Sequence, residues 1–93
     1  MGSESKKTRP ALIVSNDIGN EISDRVVVAP ITGQIKKVYP FEVSIQSDTI
    51  QGKAMLDQIR CIDKKRLQNK ISQVSEEKLR EINTALKLVL ALD

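Results

Sequence analysis

Arg9 stands immediately before Pro10 and the apolar run Ala11-Leu12-Ile13-Val14. Proline forces the residue before it into an extended backbone. Arg9 is therefore tied to the start of a buried segment, where a guanidinium fork can clamp a phosphate. Around it, Gly2-Ser3-Glu4-Ser5-Lys6-Lys7-Thr8-Arg9-Pro10 holds three cations, one acid and three hydroxyls. This composition fits a phosphate-binding loop or a solvated tail. Thr32 ends a second apolar stretch and precedes Gly33. Its hydroxyl can meet an anionic oxygen or cap a turn. Lys36, Lys37, Arg60, Lys64, Lys65 and Arg66 are balanced in sequence only by Asp57 and Asp63. They form either a track for a nucleic-acid backbone or a solubilising surface.

Other chemistries are excluded by composition. The 93 residues contain no His, which removes imidazole nucleophile pairs, acid/base pairs and metal ligands. The single cysteine, Cys61, rules out an intrachain disulfide and a cysteine zinc site. Asp48, Asp57 and Asp63 are scattered, and no Gly-rich phosphate motif exists, so no metal or cofactor is expected. A net charge of +3 is a mild attraction to phosphates. No apolar run is long enough to span a membrane, and the N-terminus is polar. With an unbridged thiol, these features lead to the expectation of a cytoplasmic protein.

A chain of this length makes one small domain with a thin core. The segment 11–14 reads as a buried strand and 15–24 as a loop rich in turn residues. Arg25 to Ala29 reads as a strand stopped by Pro30, which lacks a ladder donor. Tyr39 to Ile45 alternates as a half-buried strand, and 46–53 reads as a polar loop. Two short strands, or one bent strand, are expected over 54–56 and 59–62, and another strand over 71–74. Ser75 is a helix N-cap with Glu76 and Glu77 in the first turn. Leu79, Ile82, Leu86, Val89 and Leu90 then share one face, which Leu88 and Leu92 widen, so burial on a second side is expected late in the helix. Short strands followed by one helix predict a mainly β fold: a small barrel with a helix packed on it.

Four stretches carry a further signal. They are Gly2-Ser3-Glu4 with Lys7-Thr8-Arg9-Pro10-Ala11-Leu12-Ile13-Val14-Ser15-Asn16-Asp17-Ile18-Gly19-Asn20, Val26-Val27-Val28-Ala29-Pro30-Ile31-Thr32, Tyr39-Pro40-Phe41-Glu42-Val43, and Asp57-Gln58-Ile59-Arg60-Cys61-Ile62-Asp63-Lys64-Lys65-Arg66-Leu67. In this order they strongly resemble the MazF/PemK family of toxin endoribonucleases over nearly the whole chain. The resemblance implies an SH3-like barrel with a C-terminal helix, as a single domain over 1–93 that lacks the family's usual first strand. It implies a homodimeric toxin of a type II toxin–antitoxin system that cuts single-stranded RNA at short sequences without a metal. It also implies a cognate antitoxin whose acidic tail occupies the RNA groove.

Carried over residue by residue, the resemblance makes Arg9 and Thr32 the catalytic pair. It places Gly2, Ser3, Glu4 and Gln34 along the RNA, with Asp57 and Gln58 on a later strand near the same groove. Lys36 and Lys37 join them as basic contacts. Glu4, the acid nearest Arg9 in sequence, is a candidate base or an orienting group for Arg9, because a guanidinium holds its proton too tightly to serve as a base. Two other readings stay open: an inactive fragment that still binds antitoxin, and a protein-binding toxin of the CcdB kind, which shares the fold.

Overall fold

Residues 25–32 are rich in β-branched side chains (Val26, Val27, Val28, Ile31 and Thr32), and they form the strand on which the molecule is built. A computed structural model describes residues 9–92. Its elements are β1 (Ala11–Ile13), α1 (Asp17–Ile22), β2 (Arg25–Thr32), β3 (Glu42–Gln46), β4 (Gln51–Met55), β5 (Arg60–Asp63) and α2 (Glu76–Leu90). Short 3₁₀ turns follow β4 at Leu56–Gln58 and β5 at Lys64–Arg66. The sheet is antiparallel, and β2 is its hub. On one side β2 pairs with β1, with Leu12 opposite Ala29. On the other it pairs first with β5, from Arg25↔Asp63 to Val28↔Arg60, and then with β4, at Ile31↔Ala54 and Thr32↔Lys53. β3 closes the row on β4, making a half-barrel.

The handover from β5 to β4 explains why Pro30 does not stop the strand. The amides of Val14 and Ile31 reach across the β1–β2 junction to the Val27 and Pro10 carbonyls, so odd-numbered residues of β2 face β1. Pro30 faces the other way, into the gap between the last β5 pair and the first β4 pair. Its missing N–H falls where no ladder partner stands, which is the condition for proline inside a sheet.

Several local expectations are corrected. Segment 11–14 is an edge strand with one buried side chain, Leu12, while Ala11 and Ile13 are exposed. The expected loop 15–24 contains α1, because Asn16 caps it by accepting from the Gly19 amide at 2.7 Å. β3 starts at Glu42, and the expected loop 46–53 is a tight turn with β4 already under way at Gln51. Residues 71–74 are not a strand; Ile71 is exposed and Val74 packs against the core.

The helix α2 begins where its cap predicts: the Ser75 hydroxyl accepts from the Lys78 amide at 3.1 Å. Its buried face is narrower than the leucine stripe. Ile82 and Ala85 are buried, and Leu86 and Val89 pack beside them. They complete a core with Leu12, Ala29, Val43, Ile45, Ala54 and Leu56. Leu79 and Leu90 on one flank, Leu88 on the other, and Leu92 just past the helix end are 44–60% exposed. The expected burial of Leu88 and Leu92 is therefore not met within one chain. Among the described residues no helix is long and apolar enough to cross a membrane.

A cleft between Arg9, Thr32 and the β3–β4 turn

Arg9 and Thr32 are 23 positions apart in the chain, and strand pairing brings them to one place. Arg9 leads into β1, and Thr32 is the last residue of β2; because the strands are antiparallel, these ends coincide. The Ile31 amide donates to the Pro10 carbonyl, closing the junction. Arg9, Pro10, Ile31, Thr32 and Gly33 form one wall of a cleft of about 260 Å³, and Thr49, Ile50 and Gln51 form the opposite wall. The volume lies just below the range of about 300–1,000 Å³ typical of drug-sized ligands. It suits a phosphate with its immediate surroundings.

The Thr32 hydroxyl accepts from the Gln34 amide at 3.3 Å, so it caps the turn leaving β2. A hydroxyl that accepts one bond still has its own proton to donate. Thr32 is thus a held donor at the cleft, and Arg9 is an exposed cation beside it. A fixed donor and a guanidinium on one cavity can receive a tetrahedral anion and stabilise charge that develops on it.

Gly52 allows the walls to approach. A Cβ there would stand well inside contact distance of the Thr32 carbonyl oxygen, and at 3.1 Å from the Thr32 carbonyl carbon and Ile31 Cγ2. Lys53 follows and is buried. Its ammonium donates to Glu42 Oε1 at 2.8 Å and to the Lys37 carbonyl, and lies 5.6 Å from the centre of the Tyr39 ring. The same Glu42 oxygen accepts from the Tyr39 amide at 2.9 Å. One ion pair therefore ties β3 and β4 to the 33–41 segment, which carries Gln34, Lys36 and Lys37. Burial pushes the Glu42 carboxyl up. The Lys53 hydrogen bond, the Tyr39 amide and the Lys53 charge outweigh it and hold the group below its ordinary value.

Not every expected residue lines the cleft. Gln34, Lys36 and Lys37 are exposed on the segment leaving Thr32, and the Lys37 ammonium sits 5.0 Å over the Tyr39 ring. Asp57 and Gln58 lie on the 3₁₀ turn after β4, not on a strand, and are not among the cleft-lining residues. Gln58 Nε2 instead donates to Met55 Sδ at 3.6 Å. Gly2, Ser3 and Glu4 lie outside the described residues. The residues that sequence reasoning missed are Thr49, Ile50 and Gln51, and their only signal is the β3–β4 pairing itself. Among the described residues no group of three or more Cys, Asp or Glu is placed to hold a metal ion.

A half-barrel with a helix on it and an arginine-lined cleft at the β1–β2 junction define a small β protein with a candidate anion site, and comparison with known proteins fixes the family. Residues 1–90 match the family described as PemK-like, MazF-like toxin of type II toxin-antitoxin system. The chain is 40% identical to the endoribonuclease MazF of Staphylococcus saprophyticus subsp. saprophyticus, over 98% of this chain and 80% of that protein. Among solved structures, a mycobacterial endoribonuclease in complex with its cognate antitoxin superposes with a TM-score of 0.83 at 29% identity, covering 91% of this chain and 82% of that one. A MazE–MazF structure from Deinococcus radiodurans superposes with a TM-score of 0.79 at 25% identity, covering 91% and 83%. The chain belongs to the PemK/MazF family of type II toxins.

Proposed function

We propose that this chain is a sequence-specific endoribonuclease that cuts single-stranded RNA, with Arg9 and Thr32 as its catalytic residues. The observation that carries the reading is the convergence of these two side chains on one phosphate-sized cleft in a member of this family. In the proposed reaction the 2′-hydroxyl attacks its own phosphate. The O2′–P bond forms and the P–O5′ bond breaks, leaving a 2′,3′-cyclic phosphate and a 5′-hydroxyl. The 2′-hydroxyl proton passes to a base, and the leaving O5′ takes up a proton. Arg9 stabilises the charge on the phosphorane, and Thr32 donates to one of its oxygens. No metal is needed in this scheme. Gln34, Lys36 and Lys37 contact the RNA on one side, with Gly2, Ser3 and Glu4 as further contacts and Asp57 and Gln58 at the periphery.

The partners follow from the same reading. Two solved relatives are bound to antitoxins or described as MazE–MazF structures. We infer an antitoxin with an acidic segment that lies over Arg9, Lys36 and Lys37, in competition with RNA. The exposed leucines flanking the buried face of α2 support a homodimer of this chain. Action in the cytoplasm suits an RNA substrate and the free thiol of Cys61.

The test is cleavage of single-stranded RNA in the presence of a chelator. The wild-type chain cuts, and Arg9→Ala is slower by at least about 100-fold, the usual cost of losing one donor to a developing anion. A requirement for added metal, or full activity of Arg9→Ala, refutes the assignment.

A further inference from the structure

The wall of the cleft opposite Arg9 and Thr32 has no role in the mechanism above. It is the β3–β4 turn, and it is built more firmly than its polar sequence requires. The Ser47 amide donates to the Ile50 carbonyl at 2.8 Å. The Ser47 hydroxyl accepts from the Ile50 amide at 3.1 Å and from the Thr49 amide at 3.3 Å, and lies 3.4 Å from Thr49 Oγ1. One serine thus holds the whole turn, and it fixes where Thr49 and Gln51 stand.

Register determines where Gln51 points. Thr32 is directly opposite Lys53. Directly opposed residues of an antiparallel pair project to the same face, and side chains two apart on a strand share a face. Gln51 therefore emerges on the face of Thr32, at the mouth of the cleft that both line. Gly52, between Gln51 and Lys53, removes the side chain that would hold β4 away from Thr32. The Gln51 side chain is exposed and makes no hydrogen bond or ion pair with another described residue. An amide carries both donors and an acceptor, the equipment for reading a base edge, and single-stranded RNA is recognised by such contacts to splayed bases.

We propose that the β3–β4 turn is the base-reading wall of the cleft, with Gln51, supported by Thr49, as a specificity-determining residue for the nucleotide next to the scissile phosphate. The inference rests on the endoribonuclease reading. Arg9 and Thr32 engage the phosphate, which is the same for every sequence. Gln51 engages the base, which is not.

The experiment is cleavage of a randomised single-stranded RNA library, with the cut sites sequenced. Wild type, Gln51→Ala, Gln51→Glu and Arg9→Ala are compared, with folding checked by thermal melting. Gln51→Ala should flatten the preference at one position beside the cut by about tenfold, while preferences elsewhere persist. Gln51→Glu, which retains acceptors and loses donors, should shift the preference at that same position toward bases presenting an amino group. Arg9→Ala should lower cutting at all sites alike. Site preferences that are unchanged in both Gln51 variants overturn the base-reading role and leave the nuclease standing. A wild-type chain that cuts no library member, by contrast, overturns the nuclease reading and this inference with it.

Discussion

Thr32 is the residue at which fold and chemistry meet. Its oxygen accepts from the Gln34 amide, and its proton is free to donate at the cleft. Thr32→Val removes the donor and keeps the shape. It should slow RNA cleavage by about 100-fold, while stability changes by less than about 1 kcal/mol because the lost cap is near the surface. Thr32→Ser should recover most of the rate. Melting curves and single-turnover cleavage check both statements. Arg9 and Thr32 were singled out by the family resemblance, since their neighbours alone left a solvated tail and a turn cap open. Pro10 fixes the entry to a strand, and Gly33 marks its end. Thr49 and Gln51 were not legible, because polar turn residues have no local pattern. They reach the cleft only through the pairing of β3 with β4 and of β4 with β2.

At the level of elements, β4 positions the site. Gly52→Ala places a methyl group against the Thr32 carbonyl, so β4 or the end of β2 must move. The variant should lose about 1–3 kcal/mol of stability, as overpacking typically costs. Its rate should fall further than its stability explains, because the Thr32 hydroxyl proposed as catalytic is displaced. The Lys53–Glu42 pair sets a pH dependence. The Glu42 carboxyl titrates below its ordinary value of 4.5 in the folded chain. A depressed folded value means that the pair contributes stability above pH 4.5 and loses it as pH falls from there through the lower folded value. Melting temperature should drop over that interval, and the drop should shrink in Glu42→Gln. The sequence concealed this pair, since its members are eleven positions apart with a turn between them. It also concealed α1, whose Asn and Gly residues read as turn formers although Asn16 was serving as a cap. The helix α2 was legible because its start is signalled locally by Ser75 and two glutamates.

For the whole molecule, the unfinished feature is α2. Its centre is buried against the sheet, while Leu79, Leu88 and Leu90 remain exposed on its flanks and Leu92 just past its end. The stripe is wider than one small chain covers, so the outer burial read from the sequence is not met within the chain. The proposed homodimer covers part of it. Light scattering at micromolar concentration should give twice the chain mass of 10.4 kDa, and Leu88→Lys should reduce it toward 10.4 kDa. An acidic antitoxin segment lying over Arg9, Lys36 and Lys37 should bind more weakly as salt rises, since exposed charges are screened within about 10 Å at 0.1 M. In the proposed mechanism Arg9 and Thr32 promote attack of a 2′-hydroxyl on its own phosphate. The most direct measurement uses an RNA substrate in chelator, alone and with a single 2′-deoxy nucleotide at the cleaved position, and identifies the product ends by mass spectrometry. The account predicts a 2′,3′-cyclic phosphate and a 5′-hydroxyl from the first, and no cut at that position in the second. Cleavage of the deoxy substrate at the same bond, or a 5′-phosphate product, would contradict it.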